Sequence, residues 1–194
     1  MAAAPASGPG PGPQPHPVRI RLETPGDEPG VRHVHKRAFP GPEEAAIVDE
    51  IRRTAPDGWQ SIVAVDAVPD AQDRIVGHAL LSPCVVEGQD GEPLAVVLAI
   101  GPIAVLPELQ LHGIGSALMQ AAALLAVARG VPALVLLGYP GYYWRFGYEP
   151  ARGFGLLPPA EAWPDEAWMA RLLPAWSDEF RGIVRYPEAF GPLA

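Results

Sequence analysis

Cysteine is almost missing from the chain. Cys84 stands alone among 194 residues, which excludes an internal disulfide and a cysteine-built zinc site. Lysine is as scarce, with Lys36 the only one, and 14 basic against 22 acidic residues leave a formal net charge of −8. Gripping nucleic acid by its phosphates takes a basic surface, so no nucleic-acid partner is expected. Long hydrophobic runs are also lacking. The longest, 94–107, is interrupted by Gly101-Pro102 and falls short of the roughly 20 residues that cross a bilayer. The N-terminus has no charged-then-apolar leader. A cytoplasmic location with no membrane partner is the expectation, and nothing points to an oxidising compartment.

What is present is enough apolar sequence for a core, 48% of residues, together with 21 glycines and 25 prolines. Residues 5–17 concentrate glycine and proline, a composition that cannot bury a core. We therefore expect 1–17 to be a disordered, dispensable tail and 18–194 to be a single domain.

Val18–Leu22 alternates apolar and polar residues, as a half-buried strand does. Asp27 is placed to cap a helix reaching Phe39, and Pro40-Gly41-Pro42 breaks it. A second helix starts at Glu43, with acids in its first turn and Arg52 and Arg53 in its last, the order that suits the helix dipole. Ser61–Asp66, Arg74–Val86 and Leu94–Val105 read as strands joined by polar turns, hence antiparallel hairpins. Gly101-Pro102 predicts a bulge, because proline cannot donate to the ladder. Gly113–Arg129 has helical spacing and a glycine stop. Ala133–Leu137 is a short strand, and Pro140–Gly147 a short aromatic helix or turn. Tyr148–Leu157 is expected to return as a strand, Pro164–Leu173 to form an amphipathic helix, and Gly182–Tyr186 to be the last strand. The order describes a mixed α/β sheet.

The most informative stretch runs from Val105 to Ser116. An apolar strand ends, a loop follows, and a helix starts at Gly113-Ile114-Gly115. The first turn of a helix offers unpaired N–H groups and a positive dipole end, and glycine lets a phosphate approach that backbone closely. The bare chemistry describes a pyrophosphate site, or else a tight strand-to-helix turn with no ligand. A Rossmann fingerprint would need glycine where Leu118 stands, and a P-loop would need Gly-Lys-Ser/Thr, which is absent.

The spacing Gln110-x-x-Gly113-x-Gly115, preceded by Gly101-Pro102-Ile103-Ala104-Val105-x-Pro107-Glu108, resembles the cofactor segment of the GNAT superfamily of acetyl-CoA-dependent N-acetyltransferases. Leu111 and His112 stand where that family commonly has glycine and a basic residue. Tyr142-Tyr143-Trp144-Arg145-Phe146-Gly147-Tyr148 resembles the family's segment after its fifth strand. Gly182–Phe190 and Gly77-His78-Ala79-Leu80 resemble one bacterial branch of predicted acetyltransferases. The resemblance covers about 18–190.

That resemblance implies an α/β (α+β) fold: a mixed, mostly antiparallel central sheet flanked by helices, with its fourth and fifth strands splayed. It implies acetyl-CoA as co-substrate, with pantetheine along Ile103, Ala104 and Val105. The pyrophosphate would lie on Gln110, Leu111, His112, Gly113, Ile114, Gly115 and Ser116. It implies direct transfer to a primary amine on a small molecule or peptide, with Tyr143 as general acid. A phenol, with a pKa of about 10, is protonated at neutral pH and can donate to the departing sulfur. Tyr142 and Phe146, at i and i+4, suit packing.

The base is not evident, since no acid lies between Leu94 and Val105. His78 is the candidate on the third strand, where a histidine titrates near neutrality or serves as a structural hydrogen-bonding group. Glu108, in the exit loop, is a weaker candidate, and water relaying a proton to a remote carboxylate stands equal to either. Trp163, Trp168 and Trp176 either line an acceptor pocket or pack in a core or dimer interface; a homodimer is left open. The other functional class is a non-catalytic acyl-CoA-binding module.

Overall fold

The computed structural model describes residues 14–54, 59–69, 73–188 and 190; most of the expected tail lies outside them. Within them, backbone pairing begins before Val18. The His16 amide donates to the His112 carbonyl at 3.0 Å, the Ala67 amide donates to that of Pro17 at 3.1 Å, and the His16 ring meets Asp66 at 3.0 Å.

Strand β1 (Val18–Leu22) leads to helices α1 (Glu28–Ala38) and α2 (Glu43–Thr54). Asp27 takes the N-cap position of α1, but its carboxylate makes no cap bond. It grips Arg21 at 2.5 and 2.9 Å and the Thr24 amide at 2.8 Å, and the Arg21 hydrogen bond, first among the causes, holds it down at about 2. Strands β2 (Gln60–Asp66), β3 (Ile75–Glu87) and β4 (Pro93–Val105) follow as an antiparallel meander, with β1 beside β2. The expected bulge is present: the β3–β4 register jumps from Ala79–Ile103 to Leu81–Ile100, which leaves Gly101-Pro102 unmatched.

Helix α3 (Ile114–Ala128) leads into β5 (Ala133–Leu137), which runs parallel to β4. The two strands pair only at Leu98–Leu134 and Ala99–Val135. β5 then stays with β8 (Trp168–Leu172), to which it is paired along its whole length, while β4 passes through its bulge and continues to Val105. Pro102 has no N–H to offer a neighbour, so the open edge falls where the ladder would be weakest. The result is the expected sheet, mostly antiparallel and splayed between its fourth and fifth strands.

Beyond β5 come α4 (Pro140–Tyr143), a 3₁₀ turn at Trp144–Phe146, β6 (Glu149–Pro150), a 3₁₀ turn at Ala151–Phe154, β7 (Leu156–Leu157) and, after β8, β9 (Gly182–Arg185). Two expectations fail here. Tyr148–Leu157 is not one strand but two short bridges around a 3₁₀ turn, because Pro150 removes a donor and Gly155 turns at φ +79°. Pro164–Leu173 is not a helix. Its start does make helix-like bonds, from the Ala167 and Trp168 amides to Pro164 O, and then Trp168–Leu172 enters the sheet between β5 and β6. Trp168, Met169 and Ala170 are all buried. A strand covered on both faces lacks the period-two signature.

The core has two parts. The larger packs α1, α2 and α3 on the sheet; the smaller, around Cys84, Val97, Val135, Leu156, Trp168 and Val184, joins β7, β8 and β9 to the far ends of β3 and β4.

Candidate active site

The open edge of β4 and the start of α3 frame a cleft of about 380 Å³. Eight of the residues expected to hold the cofactor line it: Ile103, Ala104 and Val105 on the strand, Gln110 and Leu111 in the loop, and Gly113, Gly115 and Ser116 at the helix start. The other two do not. The Ile114 side chain is buried in the core, which leaves only its backbone for the cleft. His112 turns its Nδ1 onto Gln110 O at 2.7 Å, while its own carbonyl is taken by His16.

The loop turns its backbone amides free of partners. Leu111 and Gly113 have φ of +68° and +87°, on either side of His112. Local alternation of this kind turns successive N–H groups toward one concavity. None of the amides from Leu111 to Ser116 has an acceptor among the described residues, and the first bond of α3 runs from Ala117 N to Gly113 O. The left-handed backbone of Leu111 costs roughly 1–2 kcal/mol in a non-glycine residue, and its side chain is 88% exposed. This is the position where glycine is common among the sequences it resembles. Gln110 ties the loop to the strand through its side-chain amide, which donates to Val105 O at 3.2 Å.

Two further residues line the cleft that sequence reading had not placed there, Tyr142 and Arg145. The Tyr142 hydroxyl lies so close to Gly115 that a Cβ there would stand 2.6 Å from it. Burial raises its pKa, with Arg145 and then Ser116 pulling the other way. Arg145 sets its guanidinium 4.7 Å from the Tyr142 ring centroid and donates from Nε to Tyr142 O at 2.9 Å. It is the only cation among the described lining residues. The i, i+3 spacing of Tyr142 and Arg145 on a short helix was the signal available for the pair.

Tyr143 lies one step behind this wall. Its ring packs on Gly138, where a Cβ would meet it at 2.3 Å, and edge-on against Tyr142 and Tyr148, with centroids 4.9 and 6.0 Å away. Burial, then the neighbouring Tyr142, pushes its phenol up to about 12.

His78 is placed in the core, with no accessible surface, and lines neither this cleft nor the cavity at the strand splay described below. It sits in a buried chain. His35 Nε2 lies 2.7 Å from His78 Nδ1, and His78 Nε2 lies 2.6 Å from Ser61 Oγ. Ser61 bonds Glu23, and Glu23 is paired with Arg52 at 2.5 Å. Burial first, then His35 and Arg52, drive the His78 pKa well below its usual value. The expectation of a histidine that meets the substrate amine is thus answered by an enclosed, neutral imidazole. Glu108 is no better placed: it faces solvent and binds Arg74 at 3.0 Å and Arg37 at 3.4 Å. Of the three tryptophans, Trp168 is wholly buried and Trp176 packs with Phe180. Trp163 lines a cavity at the strand splay.

A family model described as an acetyltransferase (GNAT) domain matches residues 19–151. The uncharacterized N-acetyltransferase YjhQ of Escherichia coli is 29% identical over 172 residues, covering 86% of this chain and 92% of its own. YhbS of the same organism, also named as an uncharacterized N-acetyltransferase, is 29% identical over 174 residues, covering 88% and 97%. The crystal structure of YhbS in complex with CoA matches with a TM-score of 0.77 at 26% identity, over 100% of this chain and 98% of that one. A GNAT family acetyltransferase from Brucella melitensis, in complex with acetyl-CoA, gives 0.69 at 28% identity, over 90% and 99%.

Proposed function

This chain belongs to the GNAT acetyltransferase family, and on that premise we propose that it is an enzyme that transfers an acetyl group from acetyl-CoA directly to a primary amine. The observation that carries the reading is the continuity of the cleft. An unpaired strand edge at Ile103–Val105 runs into a cradle of free amides at 111–116, an arm of amide chemistry followed by a pyrophosphate. The CoA and acetyl-CoA complexes of the two structural relatives support the same occupant.

In this reading pantetheine pairs with the open edge of β4 as an added strand would. The pyrophosphate sits on the 111–116 amides at the positive end of α3, with Arg145 supplying the cation. Backbone N–H groups at the splay face the acyl oxygen and stabilise the charge that develops there. The amine must lose one proton before its lone pair can attack. The nitrogen then bonds to the acetyl carbon, the C–S bond breaks, and a second proton leaves the nitrogen as the amide forms.

Tyr143 donates to the departing sulfur. Its phenol, near 12, is a weaker acid than a thiol of about 8.5. It therefore stabilises the thiolate through a hydrogen bond and shares its proton without giving it up. His78 has a structural part, holding β3 to α1 and β2.

Calorimetry with acetyl-CoA, and with ATP as control, followed by thiol release over a panel of amines, tests the proposal. Acetyl-CoA is expected to bind with ATP giving no comparable heat, and at least one primary amine should release thiol. Binding without release for any amine would establish the non-catalytic acyl-CoA-binding alternative; no binding at all would overturn both.

A further inference from the structure

A second cavity, of about 220 Å³, opens where β4 and β5 part. Ile100, Gly101 and Pro102 of β4 line it, and the next three residues of that strand line the cofactor cleft. The two spaces are therefore neighbours along one strand, on either side of the point where the acetyl-transfer reading puts the acyl group.

The walls of this cavity have a definite chemistry. Three aromatic side chains, Trp163, Tyr186 and Phe190, form one side. They are locked edge to face, with centroids 5.7 Å apart for Trp163–Tyr186 and 5.0 Å for Tyr186–Phe190, and Trp168 backs them 5.5 Å from Trp163. Ile47 and Leu137 add apolar surface. The only charged residues among the described lining residues are Glu43 and Glu44, at the start of α2; the Glu43 carboxylate lies back against Gly41. Neither has an ion-pair partner among the described residues, whereas Glu23, Glu50, Glu87 and Glu108 each hold an arginine. An anionic acceptor would be repelled and a cationic one drawn in. Aromatic faces also attract a cation. The volume lies below the roughly 300–1,000 Å³ of pockets for drug-sized ligands, so the occupant is a small body or the end of a larger one.

We propose that the acceptor is a small cationic amine carried on an apolar, ring-sized group, with the ring against Trp163, Tyr186 and Phe190 and the ammonium facing Glu43 and Glu44. This rests on the acetyl-transfer reading and narrows its substrate class. It also gives the amine proton a destination: a carboxylate of this pair takes it as the ammonium becomes a neutral amine, which the β4 strand, having no acid of its own, does not provide.

The full-length protein is tested with five probes. Phenethylamine and tryptamine have both features, putrescine lacks the ring, phenylalanine adds a carboxylate, and 3-phenylpropan-1-ol lacks the charge. Thiol release with acetyl-CoA should show kcat/KM for the two arylalkylamines at least about tenfold above putrescine, which has no ring to bury, and phenylalanine, whose carboxylate is repelled. Trp163→Ala, and Glu43→Gln combined with Glu44→Gln, should each raise KM for phenethylamine about tenfold while leaving the acetyl-CoA Kd unchanged.

Calorimetry of phenethylamine into the CoA-loaded protein, with 3-phenylpropan-1-ol as the neutral control, separates the two proposals. Binding that the glutamine variants weaken, with no thiol released from any amine, upholds the cavity and overturns the transfer reading. Thiol release from putrescine or phenylalanine as fast as from the arylalkylamines upholds transfer and overturns the acceptor class. Phenethylamine that neither binds nor reacts also overturns it.

Discussion

The Tyr143 phenol, pushed to about 12 by its enclosure, stays protonated across the neutral range, and its hydrogen is available to the sulfur throughout. Tyr142 shares the same short helix with a different task, closing the cleft over Gly115. The two substitutions to phenylalanine should therefore separate. Tyr143→Phe is expected to lower kcat about 100-fold, the low end of the range for losing one hydrogen-bond donor to a developing charge because the thiolate is itself a fair leaving group, with acetyl-CoA affinity kept. Tyr142→Phe keeps the ring but removes the hydroxyl that stands against Gly115 in the cleft wall, and should raise the acetyl-CoA Kd severalfold with kcat kept. Steady-state kinetics beside calorimetry reads both. Equal, small effects on kcat would give the leaving-group role to water, and a larger kcat loss from Tyr142→Phe would exchange the two assignments.

Among the elements, the loop that starts α3 carries the most function on the least structure. A Cβ on Gly113 would meet nothing within 4 Å, so glycine is required there by its φ of +87° and by whatever ligand comes to lie against it. Valine is strained in that conformation while asparagine tolerates it. Gly113→Val is expected to weaken acetyl-CoA at least about tenfold, since re-routing the loop turns its amides away from the phosphate, and Gly113→Asn much less. Equal losses would make bulk against the phosphate the cause. A folded Gly113→Val protein with unchanged affinity would move the phosphate off this loop. The strand β8 teaches a different lesson. Pro164, Asp165 and Glu166 do open a helical turn, as their residue types suggest, and the chain leaves it at Trp168 because β5 offers a full ladder of partners.

At the scale of the molecule, the buried chain from His35 to Glu23 links α1, β3, β2 and α2 through one line of hydrogen bonds. With Glu23 paired to Arg52 and accepting from Ser61, the protons run one way: His35 Nε2–H to His78 Nδ1, His78 Nε2–H to Ser61 Oγ, Ser61 O–H to Glu23. Both imidazoles are then neutral. Burial, and after it Arg52 from α2, lowers His35 to about 4, against a small opposing pull from Asp49; His78 is lowered further by the same enclosure and by His35 itself. The unfolded chain protonates both histidines near 6.5 and the folded one does not. Stability should therefore be level above about pH 7 and fall as pH drops from 6.5 toward 4, by about 1.4 kcal/mol per pH unit for each histidine. Urea unfolding midpoints between pH 4.5 and 7.5 check this. His35→Gln, which can still donate to His78, should cut the slope by about half, and an unchanged slope would show that His35 is not the group that titrates.

Most of the fold was legible from local pattern. Strand alternation at 18–22, proline breaks at 40–42, dipole-ordered charges on α2 and the Gly-x-Gly opening of α3 are each written within a dozen residues, and local steric and capping preferences suffice to realise them. The same is true of the anion cradle, because backbone amides at a helix start need only a turn and a glycine. What only the tertiary structure decided is whatever depends on residues far apart in the chain. β8 became a strand because β5 and β6 flank it. His78 became an enclosed link because Ser61, His35 and Glu23 converge on it from other elements. Tyr142 took the cleft wall ahead of Tyr143 because α4 docks at one angle against Gly115. Glu43 and Glu44, which read as ordinary dipole partners at the head of a helix, came to face Trp163, Tyr186 and Phe190 only when the sheet brought the C-terminal segment across to α2, a contact of more than a hundred residues' separation that no local spacing encodes.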